Sequence, residues 1–123
     1  MKVRVLIADD KDEVRAAFKD LLATTEMEVV AEACNGEAAV QAAMENDVDL
    51  VVLDVRIPDG DGFWALESIK AREPTLPCVM HTVENRDTCI ARCHSFQADG
   101  YLVKGSDEET ILSVLRSAVG KGY

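Results

Sequence analysis

The chain has 123 residues, and 13 basic against 23 acidic side chains leave a formal charge of −10. That length suits one domain, and 48% hydrophobic with 29% charged residues excludes a disordered or fibrous chain. The acidity argues against a nucleic-acid-binding surface, and no run approaches the ~20 apolar residues that span a bilayer.

The amino terminus enters a strand pattern at once, Val3–Ala8, without the charged start and cleavage site of a signal peptide. Cys34, Cys78, Cys89 and Cys93 are therefore expected to be reduced thiols of a cytoplasmic protein. Asp9-Asp10 follows the strand, and Val14, Phe18, Leu21 and Leu22 then recur on one face of a helix. Glu28–Glu32 reads as a second strand. Asn35 offers an N-cap to a helix lined by alanines 38, 39, 42 and 43.

Asp49–Leu53 is a near-continuous apolar run of the kind buried on both faces. It stops at Asp54. Pro58, Gly60 and Gly62 supply turn chemistry before a helix carrying Phe63, Leu66 and Ile69. Pro77–His81 is the fourth strand, with Thr82 at its end, and a helix over about residues 84–95 follows. Gly100–Val103 is the fifth, ending at Lys104. Ser106 and Glu109 match a capping box for a last helix, whose stripe is Ile111, Val114, Leu115, Ala118 and Val119. Gly120 and Gly122 are expected to end it.

Strict alternation of strand and helix implies parallel strands with right-handed crossovers and helices on both faces. The expected architecture is a flavodoxin-like, doubly wound α/β fold of order 2-1-3-4-5, with its switch point between strands 1 and 3. Asp9, Asp10, Asp54, Thr82 and Lys104 would then share one sheet edge. Crowded carboxylates favour a hard divalent cation, and a carboxylate can attack phosphorus. Charge from the cation and Lys104, with a hydrogen bond from Thr82, would serve phosphoryl transfer. Taken singly, Asp9-Asp10 is an ordinary helix cap and Lys104 an ordinary surface lysine; only their registration overturns that.

Five features in order resemble the receiver domain of a bacterial two-component response regulator. They are Asp9-Asp10, Asp54, Pro58 with Asp61-Gly62, Thr82, and Tyr101-Leu102-Val103-Lys104. Asn35-Gly36-Glu37-Ala38, Asp99-Gly100-Tyr101 and Ala118-Val119-Gly120 are most similar to receivers of the NarL/LuxR helix-turn-helix class. The resemblance implies that Asp54 accepts phosphate from a sensor histidine kinase or phosphotransfer protein. Mg²⁺, or Mn²⁺, would be held by Asp9, Asp10, Asp54 and the backbone carbonyl of Arg56. Thr82 and Lys104 would contact the phosphoryl oxygens, and Tyr101 would swing inward with Thr82, although plain core packing explains Tyr101 equally well. Output would change at the face of helix 4, strand 5 and helix 5. A homodimer stays open through that face or through helices 1 and 5. Residues 1–123 would be one receiver domain, not itself a turnover enzyme and binding neither nucleic acid nor membrane.

Several residues depart from the family pattern. Gly105 follows Lys104 where proline is usual, and Val83 replaces a small residue at the phosphate's entrance. Val83 and Glu84 are therefore expected to modulate the site, with an Arg56–Glu84 salt bridge gating water. His81 replaces an aliphatic residue, and Gln97 a helix-ending glycine. Cys89 and Cys93, with His94 and His81 nearby, could supply zinc ligands, but free cysteine is more often a small buried hydrophobe. The competing functions are a strand-end-aspartate phosphatase or mutase, a flavin- or nucleotide-binding module, and a phosphorylation-independent interaction domain.

Overall fold

Each apolar run becomes a strand: β1 (Val3–Ala8), β2 (Met27–Ala33), β3 (Leu50–Asp54), β4 (Cys78–Thr82) and β5 (Gly100–Val103). A computed structural model of the chain describes residues 2–59, 61–83 and 87–121. Its helices are α1 (Asp12–Leu22), α2 (Gly36–Glu45), α3 (Gly62–Arg72), α4 (Asp87–Ser95) and α5 (Glu108–Lys121). The strands pair in parallel in the order β2-β1-β3-β4-β5, the flavodoxin-like arrangement that the alternation implied.

Period-two alternation sends each strand's residues to two cores. Val5, Ile7, Leu50, Val52 and Val79 face α1 and α5, meeting Phe18, Leu22, Leu115 and Ala118. Leu6, Ala8, Val51, Leu53 and Met80 face the other way, against Ala39, Phe63, Leu66, Ile69 and Cys93. Every residue of β3 and β4 is buried, so these strands read as continuous apolar runs rather than alternating ones. Because β1 connects outward to β2 and the chain then returns to β3, the carboxyl ends of β1 and β3 border a crevice.

At the opposite edge, Lys70 Nζ pairs with Asp99 Oδ2 at 2.6 Å and donates to the Leu76 carbonyl at 2.8 Å. The Cys78 N–H also donates to Asp99 Oδ2, at 2.9 Å. One carboxylate thus ties α3 to the start of β4 and the approach to β5.

The capping chemistry partly differs from expectation. Asn35 does cap α2, accepting from the Ala38 N–H at 2.7 Å. The last helix is capped by Asp107 rather than Ser106: it starts at Glu108, and Asp107 Oδ1 accepts from the Thr110 N–H at 2.8 Å. The Ser106 hydroxyl instead donates back to the Val103 carbonyl at 2.6 Å. Gly120 lies inside α5, which continues to Lys121, while Gly122 lies outside the described residues. Asp61 caps α3 by accepting from the Trp64 N–H at 2.9 Å. The N–H groups of Gly36 and Glu37, at the start of α2, donate to the Pro58 and Asp59 carbonyls at 2.8 and 3.0 Å. That fastens the β3–α3 loop to α2.

Gln97 holds φ at 66°, the left-handed conformation that terminates α4. The turn after Lys104 is made by Gly105 at φ 88°, with no cis peptide bond among the described residues.

Candidate functional site

β1 ends by delivering Asp9 into the crevice, where it is 1% exposed. Its Oδ1 accepts from the Lys11 N–H at 2.9 Å, which fixes the carboxylate. Oδ2 is buried without a hydrogen bond of good geometry and pairs with Lys104 Nζ at 3.1 Å. The helix-cap alternative for Asp9-Asp10 fails: α1 has no side-chain cap, and its N-cap position is Lys11. Asp10 is exposed beside the crevice.

β3 ends in Asp54, 3% exposed. Its Oδ1 accepts from the Arg56 N–H at 3.1 Å, and Oδ2 accepts from Lys104 Nζ at 3.1 Å. Burial raises the Asp54 pKa above the usual carboxylate range; the Arg56 and Lys104 hydrogen bonds oppose this, and the Asp9 charge adds to it. Burial pulls the Lys104 ammonium down, but its pairs with Asp9 and Asp54 outweigh that and leave it raised. The Lys104 N–H donates to the Thr82 carbonyl at 2.7 Å, so β5 places this lysine through its pairing with β4.

Thr82 is 2% exposed at the end of β4. It shares a sheet face with Met80, and the Met80–Tyr101 pairing puts Tyr101 on that same face. The Tyr101 hydroxyl is withdrawn from solvent, with the ring against the α2–α4 core. Val83 is exposed just beyond Thr82, and the Arg56 side chain is also exposed. Glu84, and with it the Arg56–Glu84 bridge, lies outside the described residues.

Asp9, Asp10 and Asp54 each offer an oxygen within 4.8 Å of the other two. Hard oxygen donors on that scale suit Mg²⁺. The buried Asp9 Oδ2 meets only the Lys104 ammonium, at 3.1 Å and without a hydrogen bond of good geometry, so it has capacity left for a cation. The residues present therefore fit the ion.

The zinc alternative does not assemble. Among the described residues the acid cluster is the one group of three metal-type ligands found. Cys93 is buried in the α2–α4 core, whereas His81 lies across the sheet, edge-on to Phe18 at 5.2 Å. Burial and the Lys104 charge push the His81 pKa down to about 4. The unfolded chain then binds a proton below about pH 6.5 that the native one refuses, so stability falls as pH drops through that window. At pH 5 the protein should have lost roughly 2 kcal/mol, relative to pH 7, that a His81→Leu variant retains. Urea unfolding of both proteins at the two pH values measures the difference; parallel losses would refute it.

Sequence reasoning missed Arg15, whose guanidinium donates to the Asp9 carbonyl at 2.6 Å. An arginine five residues after Asp10, early in the predicted first helix, was the available signal.

No helix among the described residues is long and apolar enough to cross a membrane. Comparison with known proteins agrees with the geometry. The response regulator receiver domain family matches residues 5–116. The chain is 32% identical over 117 residues to the transcriptional regulatory protein YdfI of Bacillus subtilis, covering 94% of this chain but 54% of that protein. It is 31% identical over 119 residues to the chemotaxis protein CheY of Bacillus subtilis, covering 97% and 99% of the two chains. A crystal structure of a LuxR-family two-component response regulator from Aurantimonas sp. SI85-9A1 superposes with a TM-score of 0.91 at 23% identity, covering 98% of this chain and 86% of that one. With fold, strand-end acids and family match in agreement, the chain belongs to the response regulator receiver domain family, the phosphoacceptor signalling switches of two-component systems.

Proposed function

We propose that Asp54 is the phosphoacceptor, taking a phosphoryl group from the phosphohistidine of a sensor kinase or phosphotransfer protein. One observation carries this reading: Asp54 is buried at a strand end, with Lys104 Nζ at 3.1 Å from Oδ2 and further carboxylates within 4.8 Å. An Asp54 oxygen forms the new P–O bond as the donor's P–N bond breaks, and the electron pair leaves with the imidazole. Such transfers ask a protein mainly for in-line placement and for positive charge around the moving oxygens. Lys104 stands ready to move from the carboxylate to the phosphoryl group. Mg²⁺, or Mn²⁺, held by Asp9, Asp10, Asp54 and the Arg56 carbonyl would supply further positive charge there.

Thr82 follows the phosphoryl group and Tyr101 follows Thr82, shifting the population toward a state with an altered α4–β5–α5 face. Val83 narrows the entrance and slows both transfer and attack by water. The chain is thus a switch that reacts at its own residue, working in the cytoplasm as a single receiver unit over residues 1–123. Where the whole protein resembles YdfI, of which this chain spans about half, the output is control of transcription. The phosphatase or mutase reading is not favoured, since Arg56 stands two residues after Asp54, where those enzymes need an acid.

Acetyl phosphate with Mg²⁺ should add one phosphoryl group to the wild-type chain, read by intact mass, and none to Asp54→Asn. Labelling that survives the substitution would overturn the assignment.

A further inference from the structure

We propose that Arg15 is a positioning residue for the acid cluster, setting its cation affinity without touching the cation or the phosphoryl group. The inference rests on the reading of Asp9 and Asp10 as metal ligands. Arg15 sits in the first half of α1, with its side chain only 14% exposed. Nη1 donates to the backbone carbonyl of Asp9 at 2.6 Å, and Nε donates to Glu32 Oε1 on β2 at 3.1 Å. Nη2 bonds Asp12 in the first turn of α1. One guanidinium therefore joins the end of β1, the end of β2 and the start of α1.

The contact with the Asp9 carbonyl matters most. That oxygen belongs to the peptide plane between Asp9 and Asp10, and peptide planes are stiff. Fixing the oxygen fixes the plane's rotation, and so the direction in which Asp10 leaves the chain. Asp10 is exposed, so packing does little to aim it. The anchor itself is braced, because Glu32 also pairs with Lys19 at 2.6 Å. Two carboxylates, Glu32 and Asp12, offset the arginine's charge, so it does not repel a cation as a bare guanidinium would. A lysine keeps the charge but lacks the planar fork that spans three partners.

Mn²⁺ titration, with free ion followed by electron paramagnetic resonance, reads the affinity directly. Arg15→Gln and Arg15→Lys should each weaken Mn²⁺ by about tenfold, as loss of an outer-sphere partner does at other metal sites. Arg116→Gln breaks a comparable pair with Glu26, at 2.8 Å and away from the crevice, and should leave the affinity unchanged. Acetyl-phosphate labelling of Arg15→Lys should regain the wild-type maximum rate at saturating Mg²⁺. A folded Arg15→Lys with wild-type Mn²⁺ affinity, or with a deficit that excess Mg²⁺ does not restore, overturns the proposal alone. A wild-type chain that fails to bind Mn²⁺ overturns the acid-cluster reading beneath it.

Discussion

Replacing Gly62 with alanine is expected to cut the rate of Asp54 phosphorylation about 100-fold and to lower folding stability by roughly 1–3 kcal/mol. Gly62 is the first residue of α3, and its N–H donates to the Val55 carbonyl at 3.0 Å, so the helix starts directly against the end of β3. A Cβ there would lie 2.8 Å from Val55 Cα and closer still to the Asp54 carbonyl oxygen. Both obstacles are backbone, so no side chain can turn aside. Either α3 retreats or the strand end carrying the acceptor shifts. The second response moves Asp54 relative to Lys104, whose ammonium lies 3.1 Å from both Asp54 and Asp9, and in-line transfer tolerates little misplacement. Labelling by acetyl phosphate at saturating Mg²⁺ measures the rate, and urea unfolding the stability. An unchanged rate with reduced stability would show that α3 alone yields.

The second large effect lies far from the chemistry. Asp99→Ala is expected to destabilise the fold by about 3 kcal/mol, because it leaves a part-buried ammonium without its counter-charge. Lys70 is 9% exposed and would keep only carbonyl partners, while the Cys78 N–H would lose its acceptor. Domains of this size are stable by ~5–15 kcal/mol, so the loss removes a large share of the total. Replacing both partners, as Lys70→Met with Asp99→Leu, should recover the part due to the unpaired charge, since an apolar pair needs no counter-charge, while the Cys78 N–H still lacks its acceptor. Urea midpoints of the single and double variants decide the matter. A single-variant loss below ~1 kcal/mol would mean that the ammonium reaches water after all.

The sheet order and the meeting of Asp9, Asp10, Asp54, Thr82 and Lys104 were legible in the sequence for one reason. In a parallel sheet every strand-end residue lies on the same edge, so identifying the strands already identifies the site. Strand limits shifted by a residue where burial continued: β4 takes in Thr82, and β3 takes in Asp54. The α5 cap was misassigned because Ser106 and Asp107 are adjacent acceptors, and only the backbone direction decides which one meets a helical N–H. Lys70–Asp99 and Arg15–Glu32 were invisible for a different reason. Their partners are 29 and 17 residues apart, and no local periodicity encodes which charged side chains meet across a crossover.

The grip of α2 on the Pro58 and Asp59 carbonyls has a mechanical corollary. It makes one bank of the crevice a fixed abutment, because displacing that loop would require breaking two main-chain hydrogen bonds at a helix start. If Asp54 is the phosphoacceptor, as proposed, the displacement that phosphorylation causes would fall on the opposite bank, where Thr82, Tyr101 and Gly105 lie, and the signal would have a direction before any partner arrives.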